Sequence, residues 1–147
     1  MEQARISPQR ARQAAEHTAR LLARDARVRL VYLFGSAADA TRAACRDVDV
    51  AVLTDKPLST DERLQLRAEV VGAVHVNVDL VVLNDAPVVL AYEVAETGRC
   101  LYARDHDAEV AFVTRARARY WDFKPFVEAQ WRLTGERLKE RIDGSPA

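Results

Sequence analysis

Two cysteines, five glycines, five prolines, three histidines and one methionine are all that the 147 residues contain of those types. Cys45 and Cys100 stand far apart and form no metal-type spacing, which excludes a zinc ribbon and a disulfide-stapled scaffold. With no signal-peptide pattern in view, both are expected to be reduced thiols in a cytoplasm. No apolar run approaches the roughly 18 residues of a membrane helix, so no membrane partner is expected. Internal repeats and low-complexity linkers are also lacking. Net charge is lacking too, with 22 basic and 22 acidic residues. Nucleic-acid binders lean on a basic excess, so direct nucleic-acid binding is not expected.

What is present is an ordinary core supply, 49% hydrophobic residues, enough for one compact domain over 1–147. Charge is segregated along the chain. Residues 1–30 hold seven basic and three acidic groups, residues 31–114 seven and fourteen, and residues 115–147 eight and five. The acidic middle suggests a cation site. The basic ends suggest solvated helix faces, anionic ligands or an acidic partner.

Ser7 and Pro8 form a helix start that carries to about Asp25, with Ala11, Ala14, Ala15, Thr18 and Leu22 on one face. "VRLVYLF" at 28–34 reads as a strand, broken by Gly35 and Ser36. The Ala-rich stretch 37–44 suggests a short helix. "DVDVAVL" at 47–53 is a second strand. Ser59 with Glu62 is a capping box that opens a helix ending near Gly72. "VHVNVDLVVL" at 74–83 is a third strand. Pro87 opens a helix ending at Thr97 and Gly98, and "RCLYA" at 99–103 is a short fourth strand. From about Ala108 the chain is helical. Asp122 is expected to cap a new helix, because Pro125 is tolerated in a first turn. The expected fold is therefore α/β (α+β), with helices packed on a small mixed sheet of about four strands.

Side chains alternate along a strand, so Asp47 and Asp49 should share one face while Val48, Val50 and Val52 face a core. Asp79 lies in the third strand, again among apolar residues. If those strands are neighbours, three carboxylates converge. At about 4 Å and an effective dielectric near 20, each like-charge pair costs roughly 4 kcal/mol. Protonation, an arginine partner or a divalent cation would relieve it. Carboxylate oxygens with open positions suit Mg²⁺, which takes one or two carboxylates plus phosphate oxygens. Gly35 allows a sharp turn and a close phosphate approach, and Ser36 adds a donor. The joint pattern, at about 7% usage per residue type, arises by chance in on the order of a few per thousand chains of this length.

Gly35 and Ser36, ten intervening residues, then Asp47-Val48-Asp49, resemble the signature of the DNA polymerase β-like nucleotidyltransferase superfamily. Asp79 fits its third acid. The short length and the tail "RARARYWDFKPFVEAQWRLTGERL" resemble the minimal nucleotidyltransferases (MNT type), antitoxins paired with HEPN-domain toxins. The resemblance implies a nucleotidyltransferase fold and a site in which Gly35 and Ser36 hold the triphosphate of ATP. It implies that Asp47 and Asp49 hold two Mg²⁺ ions, and that Asp79 completes one metal site and helps activate the attacking hydroxyl. It further implies transfer of AMP from ATP to a tyrosine hydroxyl of a cognate HEPN ribonuclease toxin. Many relatives carry Arg after the Ser and Ala-Arg-Gly soon after, where this chain has Ala37, Ala38, Asp39 and Ala40. Arg42 and Arg46 are the candidates to replace the missing cation.

Two other functions compete with a catalytic antitoxin. One is a non-catalytic antitoxin that inhibits the toxin by covering it. The other is a small-molecule nucleotidyltransferase of the aminoglycoside type, disfavoured because little length is left for an acceptor domain. His17, His75 and His106 share no metal spacing and read as ordinary residues. Tyr32, Tyr92, Tyr102 and Tyr120 read as packing groups. Trp121, Phe123, Phe126 and Trp131 read as a helix seam packed on the sheet, with a partner-facing patch in the segment of about 108–142 as the alternative.

Overall fold

The computed structural model describes residues 5–39 and 45–143. Helix α1, Pro8–Ala23, starts where Ser7 accepts a hydrogen bond from the Arg10 amide, with Pro8 in the first turn. Its buried face is Ala11, Ala14, Ala15, Thr18, Ala19 and Leu22. The small side chains let the helix axis lie close to the sheet. The one buried hydroxyl, on Thr18, is satisfied by the Ala14 carbonyl at 2.8 Å. Strand β1, Val28–Phe34, has the expected bounds and is buried along almost its whole length.

Strand β2, Val48–Thr54, is followed by helix α2, Thr60–Ala73, and strand β3, Val78–Val82. Helix α3, Val88–Thr97, strand β4, Arg99–Ala103, and helix α4, His106–Asp143, complete the chain. The sheet order is β3-β2-β1-β4. The central strand β1 is antiparallel to β2 and to β4, and β2 is parallel to β3. Helix α2 makes the crossover that a parallel pair requires. Val48, Val50 and Val52 pack with α1 and α2 on one face of the sheet. Leu30, Tyr32, Phe34 and Ala51 pack with α3 and the first part of α4 on the other.

Three expectations need correction. The third strand starts at Val78, not Val74. Val74 caps α2, its amide bonded to the Val70 carbonyl, and pairing begins only where β2 supplies a partner at Val48. The stretch after Gly35 forms a single 3-10 turn, Gly35–Ala38, and residues 40–44 of the expected helix lie outside the described residues. No new helix begins at Asp122, because α4 runs through Pro125 without a break. Pro125 leaves the Trp121 carbonyl without its intrahelical donor. Contacts on either side hold the helix across that gap. Tyr120 stacks on Tyr92 with ring centroids 3.7 Å apart, Lys124 lies 4.7 Å from the Trp121 ring, and Lys124 reaches Glu128 at 3.7 Å. Among the described residues no helix is long and apolar enough to cross a membrane.

Candidate active site

The parallel register of β2 and β3 sets Asp49 directly beside Asp79. The antiparallel register of β2 and β1 sets Asp49 opposite Phe34, the last residue before the turn. Asp49 thus stands between the third acid and Gly35. Gly35 has a φ of +72°, a left-handed conformation that side chains rarely adopt. A Cβ at this position would also collide with Asp49 Oδ2 and lie 3.3 Å from its Cγ. Glycine is required there twice over, by backbone conformation and by the space the carboxylate fills. Ser36 follows, half-buried, in the 3-10 turn.

Asp47 lies one residue before β2 rather than inside it. Its neighbour Cys45 is fixed by a bridge to Ile6, with hydrogen bonds of 2.7 and 3.1 Å between their backbones. That bridge ties the approach to β2 against the start of the chain. The buried Cys45 thiol has its pKa pushed up by burial first and by Asp47 and Asp49 next. It therefore lies within electrostatic reach of both carboxylates.

Asp49 carries the strain of the arrangement. Burial comes first, followed by the charges of Asp79, Asp47 and Glu93, and together they push its carboxyl from 3.8 up to about 6. Among the described residues none of the three aspartates has a hydrogen-bond or ion-pair partner. The arginines that do have carboxylate partners are engaged elsewhere. Arg104 forks onto Asp55 at 2.8 Å from both terminal nitrogens, Arg27 spans Asp25 and Glu62, Arg63 holds Asp85, and Arg117 holds Glu96. Of the cations proposed to aid phosphate binding, Arg46 is exposed and Arg42 lies outside the described residues.

Glu93 is a contributor that sequence reasoning missed. It is the first acidic residue in an otherwise apolar stretch of α3, and only the packing of α3 on this sheet face brings its charge toward Asp49. A cavity of about 240 Å³ was also unforeseen, lined by Leu53, Leu83 and Phe112 with Arg29, Arg115 and Arg119 among its polar groups. It lies at the other end of β2, four residues or about 13 Å along the strand from Asp49, and belongs to a different part of the surface. The histidines at 17, 75 and 106 are exposed and lie apart.

Asp49 and Asp79 together offer unneutralised carboxylate oxygens at the mouth of a glycine turn. Among the described residues no group of three or more His, Cys, Asp or Glu side chains is gathered closely enough to cage an ion unaided. Mg²⁺ does not need such a cage, because it keeps waters and takes phosphate oxygens besides one or two carboxylates. The donor set fits that kind of ion.

A sequence profile described as "Polymerase beta, Nucleotidyltransferase" matches residues 16–107. The protein adenylyltransferase MntA of Shewanella oneidensis is 34% identical over 84 residues, covering 57% of this chain and 60% of that protein. The chain thus aligns with about 60% of the length of that curated relative. A solved toxin–antitoxin structure with AMP-PNP contains a chain 29% identical, with a TM-score of 0.70 over 81% of this chain and 97% of that one. A chain in a complex of a tri-AMPylated Shewanella oneidensis HEPN toxin with an MNT antitoxin is 26% identical. Its TM-score is 0.69 over 84% of this chain and 98% of that one.

Proposed function

The chain belongs to the polymerase β nucleotidyltransferase family, and from that premise we propose that it is an antitoxin-type adenylyltransferase. It transfers AMP from ATP to a tyrosine hydroxyl of a cognate HEPN toxin and so neutralises it. The observation that carries the reading is the unpaired Asp49 and Asp79, in register on adjacent parallel strands and set against the left-handed Gly35. The adenylyltransferase relative and the complexes with a modified toxin and with AMP-PNP support it.

In this reading Gly35 and Ser36 receive the triphosphate, since the turn lacks a side chain at its closest point and the serine hydroxyl donates. Asp47, Asp49 and Asp79 would hold two Mg²⁺ ions, and the ions would supply positive charge for the phosphates and the leaving pyrophosphate. A phenol with pKa near 10 is a weak nucleophile at neutral pH. A carboxylate oxygen of Asp79 accepts the phenolic proton as the tyrosine oxygen bonds to the α-phosphorus and the bond to pyrophosphate breaks.

The test is incubation with ATP, Mg²⁺ and its cognate HEPN toxin, read by intact mass. Wild type should add AMP units, and Asp47→Asn with Asp49→Asn should add none. Undiminished transfer by the double variant overturns the assignment. The exposed second half of α4 favours one other reading, an antitoxin that acts by coverage. In that case the double variant still protects cells although it transfers nothing.

A further inference from the structure

The second half of α4 has an uncovered apolar face. The helix is about 57 Å long at 1.5 Å per residue, and only its first part meets the body. Ala108, Phe112 and Ala116 are buried, and Tyr120 lies flat on Tyr92. Beyond Tyr120 no described residue of the helix is buried. The expected packing of Trp121, Phe123, Phe126 and Trp131 on the sheet does not occur, since all four are exposed. Trp131 is 72% exposed, Leu138 54% and Ile142 75%.

At 100° per residue, Val127, Trp131, Thr134, Leu138 and Ile142 fall in an arc of about 80° that also holds Ala116 and Tyr120. The exposed stripe is therefore the continuation of the face that packs on the body three turns earlier. Its three- and four-residue steps are those of a helix–helix seam. A stripe with this continuity and two large aromatic anchors, Tyr120 and Trp131, is a surface built to be covered.

We propose that this stripe is the docking surface for an amphipathic helix of the HEPN toxin, one whose apolar stripe is flanked by acidic residues. The inference rests on the toxin reading above and adds where the toxin is held. Charge selects this occupant over a second copy. Residues 115–143 carry eight basic and five acidic groups, so a second copy would oppose like with like. An antiparallel pair centred on Trp131 would bring together two helix halves that each carry a net positive charge. An acid-flanked helix instead meets Arg132, Arg137, Lys139 and Arg141.

The experiment measures affinity of the full chain for its cognate HEPN toxin, without ATP, for wild type, W131E, L138E and E136Q. Helicity of each variant is checked by circular dichroism. The expected result is a loss on the order of 30-fold or more for W131E and L138E, since a central interface anchor is worth 2 kcal/mol or more. E136Q, on the opposite side of α4, should bind like wild type. Wild-type binding should weaken with salt, and with ATP and Mg²⁺ the variants should raise KM for toxin with kcat little changed. Wild-type affinity in both stripe variants overturns this inference and leaves the transferase reading standing. Self-association of wild type that W131E abolishes assigns the stripe to a second copy and overturns it as well. Failure of wild type to bind the toxin at all overturns the toxin reading and this inference together.

Discussion

Asp49→Asn separates the catalytic role proposed for this carboxylate from what it does to the fold. In the folded chain the Asp49 carboxyl titrates near 6, against 3.8 for the ordinary group, chiefly because it is half-buried and then because Asp79, Asp47 and Glu93 crowd it. Between about pH 4 and 6 the folded state holds a proton that the unfolded chain has released. Stability must therefore fall as pH rises through that window, and the full penalty is present above it. After discounting for solvent screening at a half-exposed group, the penalty is about 1–2 kcal/mol. Asparagine cannot ionise and avoids it. Above pH 7, D49N should be more stable than wild type by about 1–2 kcal/mol in urea, or roughly 3–6 °C in Tm for a chain of this size. Near pH 4 the two curves should converge. ATP with Mg²⁺ should then raise the Tm of wild type, whose carboxylates gain a partner, and leave that of D49N nearly unmoved. The variant should transfer no AMP. Parallel stability curves for the two proteins from pH 4 to 8 would refute the claim that burial and like charge crowd this carboxylate.

Gly35→Ala should lower stability by at least about 1–2 kcal/mol, from the left-handed backbone alone, and should abolish transfer because the new methyl displaces Asp49; urea melts and the mass assay read both. Ser59→Ala removes the side-chain half of the α2 capping box, in which Ser59 accepts from Glu62 at 3.2 Å. It should cost about 1 kcal/mol in the same melts and leave AMP transfer unchanged. The Arg104 fork holds the Asp55 carboxyl below its ordinary 3.8. That contribution is complete at neutral pH and is lost as pH falls below about 4, so the gap between R104A and wild type should narrow in acid to what the bonds of Arg104 to the Ala26 and Val28 carbonyls supply. Pro125→Ala restores an amide donor to the middle of α4 and should slow hydrogen exchange around Trp121.

The elements that were legible in the sequence are those whose cause is local. β1 could be bounded to the residue because "VRLVYLF" ends on a glycine that has to turn, and α2 because Ser59 and Glu62 satisfy each other's amides whatever the rest of the chain does. The errors fall where a distant partner decides. Val74 and Val76 alternate as a strand would, yet a parallel edge strand exists only opposite its neighbour, and β2 begins at Val48. Asp122 and Pro125 carry local start signals, but ring contacts before the proline and the Lys124–Glu128 pair across it hold the helix through. The aromatic group at 121–131 was read as core because large apolar side chains seek burial. Nothing in its own spacing says that the body ends near Tyr120. Glu93 was invisible for the converse reason: an acid in a mostly apolar helix means little until that helix is known to cross the face that holds Asp49.

Three departures from good folding practice are gathered in one place. A left-handed residue, a half-buried carboxylate with a raised pKa, and two further acids without described partners all sit at the same end of β2. Elsewhere the described charges that meet are of opposite sign, and the other irregularities, register shifts in β1, the unpaired Tyr32 hydroxyl and Pro125 in α4, involve no like charge. Random destabilisation would scatter such features through the sheet. Gathered as they are, each makes sense only together with the others. Gly35 is left-handed so that the chain clears Asp49, and Asp49 is left unpaired so that its oxygens remain available. Unneutralised like charge concentrated at one strand end is what a site kept for a charged ligand produces. Replacing Asp79 with Leu should for the same reason stabilise the ligand-free protein while destroying its use.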